Sequence, residues 1–421
     1  VSRFFAAFVA ALLAVIMTAA ASGPVPLGEN PSPVALVRPA VLPLTAMAQL
    51  GRAIFFDRRL SSSGRLSCAS CHSPRDAYAP IDGGPVEFGG PTLRRQGVRA
   101  VPSLMYLERQ PNFSIGPDDA ENENVNLAQL AMQRNLVPQG GLFWDGRADT
   151  LQGQALVPLL NPLEMDGGSV ARIARMLRTA PYARRLTQLF GAGIVHETRM
   201  LVSEALFAVA RYQFEDRSFH PYASKYDAWL EGRARFTPAE LRGYRVFNDP
   251  KRGNCAACHL DRPTADGLPP LFTDHQYEAL GVPRNLALRA NRDPRSFDLG
   301  ICGPVRTDLR TQRAFCGMFA TPTLRNVATR HVFFHNGVYH SLQAVLDFYD
   351  LRAVAPQRVY PRGADGRVAV LDDLPPRYRR NVDVADPPFD RAPGDRPPMT
   401  ADEKADVIAF LRTLTDGYSS P

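Results

Sequence analysis

Two short segments of this 421-residue chain carry the same five-residue pattern. Cys68-Ala69-Ser70-Cys71-His72 and Cys255-Ala256-Ala257-Cys258-His259 both read C-x-x-C-H. The spacing holds two thiols one short turn apart, with an imidazole beside the second. Thiols so placed add to the two vinyl groups of a porphyrin, and the adjacent imidazole becomes the proximal ligand of its iron. The competing readings are a dithiol redox pair and half of a zinc site. A thioredoxin-like pair belongs in a βαβ pattern, which is missing here, and a zinc site needs two further ligands close by, which neither motif has. The pattern therefore asks for a fold that wraps two covalently attached c-type haems. Cys68, Cys71, His72, Cys255, Cys258 and His259 are the attachment and ligand positions.

The motifs lie about one domain length apart, which predicts one haem in each of two domains, at 22–220 and 221–421. Their approaches are alike. Gly51-x-x-x-Phe55 precedes Cys68 and Gly243-x-x-x-Phe247 precedes Cys255, as in an internal duplication of a helix leading into a haem loop. The first copy has Thr45 as N-cap, with Met47, Leu50 and Ile54 on one face. The second opens on Thr237-Pro238-Ala239-Glu240, a capping box with Pro at the first helical position. Residues 169–190 and 198–213 have helical periodicity, and Thr400-Ala401-Asp402-Glu403 opens a last helix with Val407, Phe410, Leu411 and Leu414 as its apolar stripe. Strand patterns are scarce, and 73–103, 111–126 and 353–399 read as long loops, in a chain with 37 prolines and 31 glycines. The expected fold is mainly α: two cytochrome c-like domains packed face to face.

Charged residues at 22% and apolar residues at 45% are ordinary for a globular protein. The net charge of +7 is spread without a dense Lys/Arg block, which argues against nucleic acid as a partner. Arg3, the apolar run Phe4 to Met17 and the small residues Ala19-Ala20-Ala21 read as a secretory signal at 1–21, with an N-terminal membrane anchor as the competing reading. No later apolar run is long enough to span a bilayer, so no stable membrane insertion is expected after cleavage. Export leads to an oxidising compartment, and the bacterial periplasm is the expected one, being where c-type haem is attached. There Cys302 and Cys316 read as a disulfide.

Five further stretches occur in order: Gly51-Arg52-x-x-Phe55-Phe56-Asp57-x-x-Leu60-Ser61, Phe143-Trp144-Asp145-Gly146-Arg147-Ala148, Asn161-Pro162-x-Glu164-Met165, Pro322-Thr323-Leu324-Arg325-Asn326 and Phe334-His335-Asn336-Gly337. With the two C-x-x-C-H motifs, the chain resembles the bacterial dihaem cytochrome c peroxidase and MauG family over nearly all its mature length. The resemblance implies that the first haem reacts with hydrogen peroxide and the second handles electrons. It places Glu164 over the first haem, where a carboxylate moves a proton between the two peroxide oxygens. Gln154 and Pro158 match positions lining that pocket, and Trp144 matches a tryptophan between the haems that carries holes. Taken alone, Glu164 reads as a surface charge after a turn and Trp144 as core packing.

The axial ligands separate the branches. In ordinary family peroxidases a methionine fourteen residues after the Phe-His-x-Gly histidine ligates the second haem. Here that position is Tyr349, as in MauG. A phenolate favours higher oxidation states than a thioether does. Tyr349 as core, with Met318 as ligand, is the alternative. Conventional peroxidases also have a distal histidine blocking the first haem, and no histidine lies between His72 and His196. The resemblance further implies a calcium ion between the domains. However, its asparagine ligand falls on Tyr106, and the paired backbone positions near Arg330 and Val332 differ. MauG's surface tryptophan before the second motif falls on Gly253. Trp229, the other tryptophan, reads as packing.

The resemblance thus implies a periplasmic MauG-like enzyme. It would use peroxide to reach a high-valent two-haem state and oxidise Trp or Tyr residues of a partner protein by long-range electron transfer. The rivals are a conventional peroxidase fed by a small cytochrome or cupredoxin donor, and a non-enzymatic dihaem electron carrier.

Overall fold

The computed structural model describes residues 27–117 and 136–419. The leader read at 1–21 and residues 118–126 of the loop read at 111–126 lie outside the described residues. Among the described residues the helices are α1 (Ala46–Phe55), α2 (Cys68–Cys71), α3 (Leu151–Leu160), α4 (Val170–Arg178), α5 (Ala183–Phe190), α6 (Thr198–Glu215), α7 (Lys225–Leu230), α8 (Pro238–Asn248), α9 (Leu342–Leu351) and α10 (Ala401–Arg412). None is long and apolar enough to cross a membrane.

The helices start where their caps dictate. Thr45 Oγ1 accepts from Ala48 N at 3.2 Å. Thr237 and Glu240 bond reciprocally ahead of α8, and Thr400 and Glu403 do so ahead of α10. Each such cap satisfies amides the first turn leaves open, an effect of about 1 kcal/mol. Leu50 and Ile54 of α1 and Val407, Phe410 and Leu411 of α10 are buried as their periodicity requires, and Leu414 beyond α10 is buried with them.

The duplication is visible in how helices cross. α1 packs on α6 and α8 packs on α10. At the first crossing a Cβ on Gly51 would lie 1.8 Å from the carbonyl oxygen of Ala208; at the second, one on Gly243 would lie 1.9 Å from that of Asp406. Only glycine allows two backbones so close. Each pair presents one C-x-x-C-H segment just beyond its leading helix.

Two apolar cores follow. One gathers residues from Leu50 to Tyr222 together with Leu271, including Tyr78 stacked on Phe219 with centroids 3.8 Å apart. The other runs from Tyr226 to Leu414. Trp229 packs there, stacked on Phe236 at 4.5 Å. The arm at 27–38, read with the N-terminal half, lies instead along the C-terminal half. Val34 N donates to Leu230 O at 2.9 Å, Val37 N to Gly267 O at 2.8 Å, and the Trp229 indole to Gly28 O at 3.0 Å. The long loops contain short ladders that the sequence pattern did not show. The longest pairs Ser114–Pro117 with Leu136–Gln139, antiparallel. Cys302 and Cys316 are joined in a disulfide, with their Cα atoms 5.0 Å apart.

The halves are sewn together by backbone and charge. Ala100 N donates to His335 O at 2.8 Å, and Gly140 N to His275 O at 2.8 Å. Arg99 bridges Asp145 at 2.7 Å and Asp298 at 2.6 Å, almost wholly out of water.

Candidate active site

The second motif turns directly off α8. Cys255–Ala257 form a single 3-10 turn, and His259 N donates to Cys255 O at 2.9 Å. The imidazole Nδ1 lies 2.9 Å from Phe272 O, so the ring donates there and keeps Nε2 as an acceptor. Burial pulls its pKa down to about 4, and the ring is neutral. An iron ligand must be neutral imidazole.

Cys255, Cys258 and His259 line a cavity of about 650 Å³, and Tyr349 of α9 lines it too. Phe389 stacks on the Tyr349 ring at 5.6 Å and Phe334 lies at 6.1 Å. Burial, reinforced by the neighbouring Cys258 and Cys255, pushes the phenol well above the usual tyrosine range. A phenolate there needs a cation brought into the cavity. Met318, the competing ligand, does not line this cavity; Met399, four per cent exposed, does.

The first motif repeats the arrangement. His72 N donates to Cys68 O at 3.0 Å, and His72 Nδ1 lies 3.1 Å from Tyr78 O. Burial lowers this imidazole to about 4 and raises the Cys68 and Cys71 thiols to about 12, with Glu87 and Glu164 adding to the rise at Cys71. Glu164 sits in the turn after α3. Asn161 Nδ2 donates to its Oε1 at 2.6 Å, and Gly90 N holds its carbonyl at 2.8 Å. Burial raises the carboxyl pKa, while the Asn161 bond and the charge of Arg147 pull it back.

Gln154 and Pro158 lie one turn apart on α3. Gln154 and Trp144 reach the large cavity, as do Ala77, Ala79 and Pro102 from the loop beside His72. Cys68, Cys71, His72, Pro158 and Glu164 do not line it. Trp144 belongs to both halves. Its Nε1 donates to Ala100 O at 2.8 Å, and its carbonyl accepts from Ala320 N at 3.0 Å. The next residue, Asp145, is fully buried between Arg99 and Arg147, at 2.7 and 2.6 Å.

Residues 45–235 match the family model of the di-haem cytochrome c peroxidases. The chain is 32% identical to the methylamine utilization protein MauG of Paracoccus denitrificans (strain Pd 1222), over 89% of this chain and 90% of that one. The chain belongs to the dihaem cytochrome c peroxidase and MauG family. It is 30% identical to cytochrome c551 peroxidase of Nitrosomonas europaea, over 73% of this chain and 74% of the relative. It also superposes on the crystal structure of the diheme peroxidase BthA from Burkholderia thailandensis E264, with TM-score 0.78 and 37% identity over 91% of this chain and 89% of that one.

This dihaem peroxidase relative is therefore an oxidoreductase with two haem cofactors, and the reading as a non-enzymatic carrier falls. Its own residues fit the cofactor. Each motif offers two part-buried thiols and a neutral imidazole already held at Nδ1. Among the described residues no three His, Cys, Asp or Glu side chains converge to hold a metal ion directly.

Several residues of the site escaped sequence reasoning. His275 lines the cavity at φ 60°, with Nδ1 3.0 Å from Gln110 Oε1. His335, noticed as a motif residue, stacks on Phe319 with centroids 3.5 Å apart. Gly253 also lines the cavity, and a Cβ there would lie 2.6 Å from Val246 O, so this dihaem protein has no room for a tryptophan at that point.

Proposed function

We propose that this chain is a periplasmic MauG-like enzyme, its N-terminal half up to residue 220 and its C-terminal half 221–421, with the arm 27–38 laid along the latter, each holding one haem through a C-x-x-C-H motif. In this reading it uses hydrogen peroxide to oxidise Trp or Tyr residues of a partner protein. The observation that carries the reading is the pairing of His259 with Tyr349 in one cavity, a tyrosine rather than a methionine standing fourteen residues after His335.

When bound, the haems supply the two-electron chemistry that peroxide reduction requires. Glu164 takes a proton from one peroxide oxygen and returns it to the other, which leaves as water. Asn161 fixes the carboxylate, and burial keeps it able to hold the proton. Gln154 and Pro158, one turn apart on α3, shape the peroxide side of the first haem in this reading, and Gln154 also reaches the large cavity. His72 and His259 stay neutral and oriented by their carbonyl partners. Trp144 passes electrons between the halves. Tyr349, as phenolate, favours the oxidised second iron. Calcium has no part in this reading: the Tyr106 phenol donates to Asp416 at 2.5 Å, and its ring lies 4.9 Å from the Arg325 guanidinium.

Similarity to the Nitrosomonas peroxidase supports a second reading, a conventional peroxidase drawing electrons from a small cytochrome or cupredoxin. The two separate kinetically. Peroxide added to the fully oxidised protein without a donor should be consumed at once and its oxidising equivalents retained, as read by optical and Mössbauer spectra. Turnover that begins only after half-reduction, with fast oxidation of reduced cytochrome, would establish the conventional reading instead.

A further inference from the structure

Arg330 is a cation without an acid. It follows the 3-10 turn Val327–Thr329, and its side chain lines the large cavity. One N–H of its fork, on Nη2, donates to Val101 O at 3.0 Å. Among the described residues no carboxylate lies within ion-pair distance of it. The other buried arginines behave differently. Arg325 is paired with Asp227 at 2.7 Å, and Arg99 with both Asp145 and Asp298. Burial alone lowers the Arg330 guanidinium to about 10, with no acid to offset it, so it remains charged at neutral pH. Arg330 itself is part-buried, and its remaining N–H groups open onto the cavity, where a cation with no acid beside it favours an anion.

The missing anion must come from what fills the cavity. A haem carries two carboxylates, and a guanidinium matches a carboxylate with two parallel N–H bonds. The position of Arg330 selects the haem. Arg330 holds Val101, and the next residue, Pro102, lines the cavity with Ala77 and Ala79 of the His72 loop. We propose that Arg330 binds a propionate of the first haem and holds a positive charge beside that iron. This rests on the reading that both motifs hold haem, the first of them beside the Ala77, Ala79 and Pro102 edge of the cavity. Arg330 is then a positioning residue. It fixes the macrocycle against the seam between the halves and disfavours loss of an electron from the nearer iron.

The holoenzyme provides the test. Arg330→Gln and Arg330→Lys are purified, and haem content is measured by the pyridine haemochrome method. Both midpoint potentials are read by spectroelectrochemistry, with the first haem identified by cyanide binding, and the propionate-bending bands by resonance Raman. Arg330→Gln should keep two haems, lower the potential of the first and shift its propionate band, leaving the second haem unchanged. Arg330→Lys should restore most of the potential but not the band, because an ammonium keeps the charge without the fork. Parent-like potential and band in Arg330→Gln overturn the proposal. If Arg330→Gln fails to hold haem, an unshifted band in Arg330→Lys overturns it alone. Absence of two haems from the parent would overturn the underlying haem reading instead.

Discussion

The indole nitrogen of Trp144 donates to the carbonyl oxygen of Ala100 at 2.8 Å, with its own carbonyl bound to Ala320 across the seam. A carbonyl is no proton acceptor at accessible pH, so an oxidised indole held this way keeps its proton and returns readily to the resting state. Trp144→Phe should keep both haems and slow electron exchange between them by about tenfold or more, the effect of ~1.4 kcal/mol on a barrier. Stopped-flow spectra after peroxide addition measure it. An unchanged rate would return Trp144 to a packing role.

Glu164→Gln removes the proton carrier and keeps the shape. The side chain is part-buried with its carboxyl already pushed toward the neutral form, so the amide should be accommodated. Peroxide consumption should fall by roughly 10²–10⁴-fold, the usual reach of general acid–base catalysis. Equal kcat/KM for peroxide in variant and parent would exclude the assigned role.

Tyr349→Met should raise the potential of the second haem, and Tyr349→Phe should change its absorption and EPR signals, since a thioether and an empty site both differ from a phenolate. The first haem should be unaffected in both. Variants with parental spectra would show that this phenol is core alone.

Glu87 predicts a pH effect. Burial, with the nearby Asp82 carboxylate, lifts its pKa from 4.5 to about 7. The folded state therefore binds more protons than the unfolded state between those values. The sign follows: this group's contribution is full below about pH 4.5 and is lost as pH rises toward 7. Glu87→Gln should flatten that part of the curve of Tm against pH. A variant with the parental slope would remove Glu87 as its source.

Gly51→Ala and Gly243→Ala should each destabilise the fold by about 1–3 kcal/mol, because the added methyl meets backbone that cannot move aside. Denaturant unfolding measures it, and a change near zero would mean that the crossing helices separate freely.

What could be read in the sequence was local. The C-x-x-C-H turns, the caps at Thr45, Thr237 and Thr400, and the buried faces of α1 and α10 each depend on residues within a few positions. The cavity is different. Arg330, His275, Gln110 and Met399 come from separate loops, with no period or spacing to mark them, and meet only when the halves close. The same holds for Ser114–Pro117, which becomes a strand because Leu136–Gln139 lies beside it. The arm at 27–38 went with the wrong half because its partners, Leu230 and Gly267, are some two hundred residues away. Tyr349 and Glu164 stand out only through family motifs; their own neighbours in sequence read as core and surface.

The two imidazoles tethered to Tyr78 and Phe272 bear on speed as well as ligation. A ring fastened to main chain does not swing when the charge on its metal changes. The nuclear rearrangement that accompanies each electron hop is then small. With haem bound at both motifs, as proposed, transfer across the molecule would then depend chiefly on the spacing of the two centres.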